Sequence, residues 1–240
     1  MKSNTIKIFW ILLFSIAMGY LESAVVIYIR ELYYPEGFAF PMKLISEKIM
    51  ITEFFREAAT MLMLLGTAII AGRNAIERFA YFIMCFGIWD IFYYVFLYLI
   101  LGWPQSLLTW DVLFFIPLTW IGPVLAPVIN SATMIFLAAV ILFFKHQNGA
   151  VKTGMLVWTL LIVGSLVVIV SYTMDYAGFM SQRFSIIQQM GWGNTEGLME
   201  YALSYIPRTF NWWVFFVGLA MHITAILFIM TKNMKNTAGK

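Results

Sequence analysis

Six long apolar runs constrain this chain more than any other feature of its sequence. We place them at residues 8–29, 53–72, 78–101, 124–144, 154–174 and 212–231. Each reaches about 20 residues, the length that an α-helix needs to cross a hydrocarbon core of roughly 30 Å. Because backbone polar groups inside a bilayer must be paired within the protein, these runs predict an all-α bundle of six transmembrane helices.

The composition supports a chain that lies almost entirely in a membrane. Hydrophobic residues make up 62% and charged residues 11% of the sequence, whereas soluble domains average about 45–50% and about 25%. We therefore treat residues 1–240 as one transmembrane domain in a lipid bilayer, with residues 175–211 as its longest exterior loop. The net charge is only +3 and no basic run is present, so the sequence gives no indication of nucleic-acid binding.

Two shorter segments outside the six spans are also predicted to be structured. Residues 112–121 are apolar but too short to cross a bilayer, and Gly122 follows them. We predict a short re-entrant or interfacial helix there, before the fourth span. In the exterior loop, Thr195 is predicted to cap a short helix that stops before Pro207.

The distribution of lysine and arginine predicts the orientation of the bundle. Nine of the fifteen basic residues fall on one side of the predicted membrane, together with a single acid, Glu77. The loop at residues 102–110 has no basic residue. By the positive-inside rule, both termini should face the cytoplasm, and the protein should be a multi-pass protein of the inner (plasma) membrane. The first run continues to residue 29, longer than a signal-peptide core of about 7–15 residues, so we expect the first span to be retained.

The other eleven acids fall on the exterior side or in the outer part of the membrane, and several lie inside the apolar runs. Glu22 falls in the first run, and Glu53 and Glu57 lie one turn apart on one face of the second. Two such carboxylates repel each other unless Arg56, Arg30, a cation or a shared proton intervenes. Alternatively, Glu53 and Glu57 are first-turn acids that the helix dipole stabilises by about 0.3–1 kcal/mol each.

Asp90 is the acid closest to the middle of an apolar run. Placing an aspartate at mid-bilayer costs about 2.5–3.5 kcal/mol on insertion scales, so a partner is expected. Tyr93 and Tyr94 lie one turn further on, where either hydroxyl could donate a hydrogen bond to Asp90. An arginine, a histidine or an ion would compensate the charge better. By contrast, Asp111 and Asp175 are expected at the surface edge.

Other polar and small residues complete the predicted intramembrane set. His222 in the sixth run is either a neutral packing residue or a proton carrier paired with Asp90. Asn130 lies next to the bends that prolines are expected to introduce into the fourth run. Ser15, Gly19 and Ser23 recur every four residues in the first run, so another helix should approach this face closely.

Compact catalytic motifs are missing from the sequence. It has no HExxH, Walker A, G-x-S-x-G or CxxC pattern, and Cys85 is the only cysteine. A disulfide within the chain or a thiolate metal cluster is therefore excluded. The motifs single out no catalytic residue, metal ligand or cofactor.

Three functions stay open at this point. The first is an outward-facing pocket that binds or transports a cation or a small polar solute. The second is an accessory subunit whose buried ion pairs fix helix register against a membrane-protein partner. The third is a membrane-embedded enzyme, with or without a metal, that acts on a lipid or lipid-linked substrate. For the first, the predicted ligand-binding residues are Glu22, Arg30, Glu53, Arg56, Glu57, Asp90, Tyr93, Tyr94, Asn130 and His222.

Overall fold

The computed structural model describes residues 2–114, 119–185, 188 and 196–237. Within this part of the chain, six helices are long and apolar enough to cross a membrane. They are α1 (Lys2–Tyr33), α2 (Glu47–Ala71), α3 (Ala75–Leu101), α4 (Leu125–Asn148), α5 (Met155–Ser181) and α7 (Trp212–Thr237). A short helix, α6 (Leu198–Leu203), and two strands, β1 (Trp110–Phe114) and β2 (Trp120–Pro123), complete the described elements. The prediction of six apolar helices is confirmed.

Local capping explains where several helices begin and end. The Ser46 side chain accepts a hydrogen bond from the backbone N–H of Ile49, so α2 begins at Glu47 rather than at residue 53. Glu53 and Glu57 therefore lie beyond the first turn, where the dipole of the helix N-terminus has little effect. At the other end of the next helix, Gly102 adopts a left-handed conformation (φ 65°) and ends α3.

The predicted re-entrant helix at residues 112–121 is wrong for the residues that the structure describes there. β1 and β2 instead form an antiparallel pair, in which Trp110 lies opposite Pro123 and Val112 opposite Ile121. Residues 115–118 between the strands lie outside the described part. Aromatic and β-branched residues favour strands, and the sequence places Pro117 in the middle of this stretch, where it disfavours a continuous helix.

The short helix predicted in the long loop is present as α6. Gly197, in a left-handed conformation (φ 74°), precedes it. The predicted cap, Thr195, lies outside the described residues. Tyr205 follows the last turn of α6 and packs its ring edge-on against Tyr176 of α5.

The helices pack around α3, which contacts α1, α2 and α4, while α4 contacts α7 and α7 contacts α5. The small-residue face of α1 makes a close contact, as predicted. A Cβ atom at Gly19 would lie 2.9 Å from Cβ of Phe92, and the Ser23 hydroxyl donates to the Tyr93 carbonyl at 3.0 Å. The contact of α5 with α7 is equally close, since a Cβ at Gly218 would lie 2.7 Å from the carbonyl oxygen of Gly164.

Polar contacts distinguish the two ends of the bundle. We call the antiparallel pair of β1 and β2 the hairpin. The hairpin end of the bundle holds this pair and the last turn of α1. At the opposite end, Lys7 Nζ donates to the Ala71 carbonyl at 2.9 Å, and Lys145 Nζ lies 3.6 Å from Glu77 Oε1. The sequence-based orientation assigns the hairpin end to the exterior and the opposite end to the cytoplasm.

The outer surface of the bundle is largely apolar. Ile70, Met155 and Trp213 are each more than 80% exposed, and many other large apolar side chains are more than half exposed. Such a surface is unfavourable in water but is the normal exterior of a bundle surrounded by lipid. The six apolar helices and this surface together indicate a multi-pass protein in a bilayer.

Candidate functional site

Glu22, Glu53 and Arg56 form one charge cluster, which we call the Arg56 cluster. Arg56 Nε donates to Glu53 Oε2 at 2.7 Å, and Arg56 Nη1 pairs with Glu22 Oε2. Glu57 is 5% exposed and interacts electrostatically with the same arginine. Arg56 is thus the residue that offsets repulsion between the acids of α2, and it links α2 to α1.

Arg30 belongs to a second cluster, at the hairpin end. Its Nη2 lies 3.2 Å from Asp111 Oδ1, and both side chains are less than 10% exposed. The guanidinium carbon lies 3.8 Å from the ring centroid of Trp103 and 4.7 Å from that of Phe38. Tyr94 Oη donates to Asp111 Oδ2 at 3.3 Å. We call this group the Arg30 cluster; ion pairing, a hydrogen bond and cation–π contacts all stabilise its charges.

The burial of Asp111 corrects the expectation of a surface-edge acid. The hairpin, which the sequence did not predict, carries this side chain inward against Arg30. Burial raises the pKa of the Asp111 carboxyl to about 6, because the loss of hydration outweighs the opposing effects of Arg30, the Val112 N–H and Tyr94.

Asp90 has a different environment. The Ser131 hydroxyl of α4 donates to Asp90 Oδ2 at 2.7 Å. The described residues place no lysine, arginine or histidine nitrogen within 4.0 Å of this carboxylate. Neither tyrosine that we considered as a donor fills that role. The Tyr94 hydroxyl donates to Asp111, and in the described residues no hydrogen bond joins the Tyr93 hydroxyl to Asp90. Asp90 is thus a carboxylate with a neutral hydrogen-bond donor and no described counter-charge.

Buried polar atoms without hydrogen-bond partners lie on the elements around Asp90. Among the described residues they are Tyr172 Oη of α5, Trp120 Nε1 of β2, Asn130 Oδ1 of α4 and Trp89 Nε1 of α3. Arg30 Nη1, in the Arg30 cluster, is a further buried atom of this kind. Tyr172 interacts electrostatically with Asp90, and the Trp120 ring stacks on that of Tyr172 at a centroid distance of 5.9 Å. Since buried polar groups are normally paired, such atoms are typical of a place where a ligand or water binds. We call Asp90, Ser131, Tyr172, Trp120 and Asn130 the Asp90 site.

The clusters and the Asp90 site lie near one another. Asp90 is within electrostatic range of Asp111 and Glu22. Tyr93 is within range of both arginines, Arg30 and Arg56. Nine of the ten predicted site residues therefore belong to these groups, lie within their electrostatic range or are adjacent to them in a helix.

His222 is the predicted residue that lies apart. Its Nε2 is 3.2 Å from the Ser165 hydroxyl and 3.3 Å from the Leu161 carbonyl oxygen, both on α5. A Cβ atom at Gly164 would lie 2.8 Å from Cδ2 of His222, so the histidine ring packs closely against the backbone of α5. His222 contacts α5 rather than Asp90 in the described structure, which favours the packing role over the proton-carrier role.

Several residues of these groups were not identified from the sequence. Ser131 follows Asn130 directly, and their adjacency was the one local signal that pointed to it. Trp103, Trp120 and Tyr172 carry no local signal, because aromatic residues are frequent throughout a membrane chain. Their contacts depend on how the hairpin and α5 pack against the other helices.

No metal centre is found in the described residues, where no three His, Cys, Asp or Glu side chains converge to hold an ion. Comparison with protein-family models, curated proteins and solved structures finds no match to this chain. Function must therefore be argued from the Asp90 site and the two arginine clusters.

Proposed function

We propose that this multi-pass membrane protein binds a cation or a small, positively charged solute at the Asp90 site, as part of its transport. The observation that carries the proposal is the contrast among the acids. Glu22, Glu53 and Asp111 each contact an arginine, whereas Asp90 has only the Ser131 hydroxyl among the described residues. A carboxylate in the middle of a membrane helix is unfavourable without a counter-charge. A bound cation, or a proton when the site is empty, would supply it.

The surrounding groups favour a monovalent or organic cation over a divalent metal. Calcium takes six to eight oxygen ligands, and zinc takes three or four nitrogen, sulfur or carboxylate ligands. The described residues provide no cluster of that kind. A carboxylate, a hydroxyl and aromatic rings are instead the groups that hold ammonium ligands. The lack of a metal-binding cluster in the described residues also weakens the hypothesis of a metal-dependent enzyme.

The position of the Arg30 cluster favours access from the hairpin end, because Asp111 on β1 is within electrostatic range of Asp90. Both arginines contact other acids, Glu22, Glu53 and Asp111, and no ion pair joins either arginine to Asp90 in the described residues. With the orientation that the basic residues predict, a ligand would enter from the exterior. Exchange of a proton on Asp90 for the cation would then couple binding to pH.

Ligand-dependent stabilisation tests this proposal. Thermal unfolding of the purified protein is measured with Na⁺, K⁺, methylammonium and choline between pH 5 and 8. At least one of these cations should raise the unfolding temperature, more at pH 8 than at pH 5, because protons compete for Asp90. Asp90→Asn should abolish the effect, while Glu36→Gln, at an exposed acid, should preserve it. The absence of a shift with all four cations across this pH range would refute the proposal.

A second candidate is an accessory subunit of a larger membrane complex. The observation in its favour is that Arg56 joins α1 to α2, and Arg30 joins α1 to the hairpin, as expected of ion pairs that fix helix register. Glu22→Gln and Asp90→Asn should then reduce recovery of the assembled complex. Native mass spectrometry of the protein extracted from its own membrane distinguishes the two candidates, because a monomer that binds one of the four cations excludes the subunit role.

A further inference from the structure

A cavity of about 920 Å³ lies between the last turns of α5, the segment after α6 and the first turn of α7. Binding cavities for small ligands commonly measure about 300–1,000 Å³. The cavity combines charged, amide and aromatic side chains. Its lining includes Asp175, Gln182, Tyr205, Ile206, Arg208 and Trp213.

Two opposite charges line this cavity without neutralising each other. Asp175 Oδ2 accepts a hydrogen bond from the Tyr205 hydroxyl, and in the described residues no basic nitrogen lies within 4.0 Å of Asp175. Arg208 is exposed, and the described part of the chain offers it no carboxylate within the same distance. A ligand with both a positive and a negative group would satisfy both residues.

The position of the cavity points to the membrane–water interface. Trp213, on its rim, is 84% exposed at the beginning of α7, and Ile206 is 53% exposed. Tryptophan and tyrosine concentrate at the headgroup level of membranes, because their rings are apolar and carry one polar atom. At that depth, an exposed tryptophan contacts lipid, and the charged groups beside it meet lipid headgroups.

We propose that this cavity binds a phospholipid with a zwitterionic ethanolamine headgroup. The ammonium group lies against Asp175 and the phosphate against Arg208, both with charge-assisted hydrogen bonds. The acyl chains leave the cavity along the apolar surface near Trp213. None of the Asp90-site residues lines this cavity, so the inference is independent of the proposed transport of a cation.

Native mass spectrometry of the purified, delipidated full chain tests the proposal. Phosphatidylethanolamine and phosphatidylglycerol with identical acyl chains are added in equal amounts. The ethanolamine lipid should be retained about tenfold more than the glycerol lipid, which corresponds to about 1.4 kcal/mol. Arg208→Gln and Asp175→Asn should each remove most of that preference; the asparagine still accepts the Tyr205 hydrogen bond.

Matched variants exclude a general effect of charge. Lys48→Gln and Glu36→Gln change exposed residues in and before α2 that do not line the cavity, and they should retain the full preference. Asp90→Asn should retain it too, which separates failure of this proposal from failure of the proposed function. Equal retention of the two lipids by the unmodified protein, or an undiminished preference in both cavity variants, would overturn the lipid site.

A soluble probe separates a lipid from a free solute with the same charges. Glycerophosphoethanolamine carries the same headgroup without acyl chains. It should displace the lipid only at concentrations at least about a hundredfold above those of the lipid, because it lacks the apolar contact. If it displaces the lipid at equal concentration, the cavity recognises a soluble zwitterion and the lipid proposal is wrong.

Discussion

Asp111 and Asp90 are two aspartates within electrostatic range of each other, yet their surroundings are opposite. Asp111 is buried in the Arg30 cluster, where Arg30 supplies the counter-charge and Tyr94 a hydrogen bond. Asp90 receives one hydrogen bond, from Ser131, and no described basic group contacts it. At Asp111 the chain itself provides the counter-charge, so this carboxylate contributes to the packing of the hairpin against α1. Under the proposed function, Asp90 instead receives its counter-charge from a ligand.

The largest effect on stability is expected when the ion pair of the Arg30 cluster is broken. Asp111→Asn leaves the buried Arg30 guanidinium without its counter-charge, which should lower the free energy of unfolding by about 3–5 kcal/mol. Unfolding of the purified protein in mild detergent, followed by tryptophan fluorescence, measures the loss. The double variant Arg30→Met, Asp111→Leu should lose less than Asp111→Asn, because it leaves no buried charge. A larger loss in the double variant would mean that the ion pair contributes more to the free energy of unfolding than the neutralisation of its two charges.

The identical substitution at Asp90 should act in the opposite direction. Asp90→Asn keeps an acceptor for the Ser131 hydroxyl and removes a carboxylate that has no described counter-charge. Without added ligand, the free energy of unfolding should stay the same or rise by up to about 1 kcal/mol. The measurement uses the same fluorescence assay as Asp111→Asn. A loss as large as that of Asp111→Asn would break the distinction between the two aspartates.

The smallest effect is expected in the Arg56 cluster. Its side chains are 12–20% exposed, and Arg56 keeps its pairing with Glu22 when Glu53 is neutralised. Glu53→Gln should therefore change the free energy of unfolding by less than about 1 kcal/mol. Glu22→Gln should have the larger effect of the two, because that pair joins α1 to α2. The reverse order would show that Glu53 is the main partner of Arg56.

Local sequence rules succeeded where a structure depends on consecutive residues. The six apolar helices follow from hydropathy. The close approach of α3 to α1 at Gly19 follows from the helical spacing of small residues. The stretch at residues 112–121 misled the prediction, since apolar content alone does not distinguish a short helix from a strand pair. There, cross-strand pairing such as Val112 with Ile121 decided the structure.

By itself, the sequence determined how many apolar helices the chain forms and where they lie, because hydropathy is a property of about 20 neighbouring residues. It also identified Glu22 and Asp90 as carboxylates that need partners, since the unfavourable energy of a charge in lipid depends on residue type and depth. It did not identify Asp111, which it placed at the surface edge. Only the tertiary structure decided the pairings. Arg56 meets Glu22 across 34 positions and Arg30 meets Asp111 across 81. Contacts over such separations depend on how the helices and the hairpin pack. Among the described residues, that packing gives Asp90 a hydrogen bond from Ser131 and no ion pair.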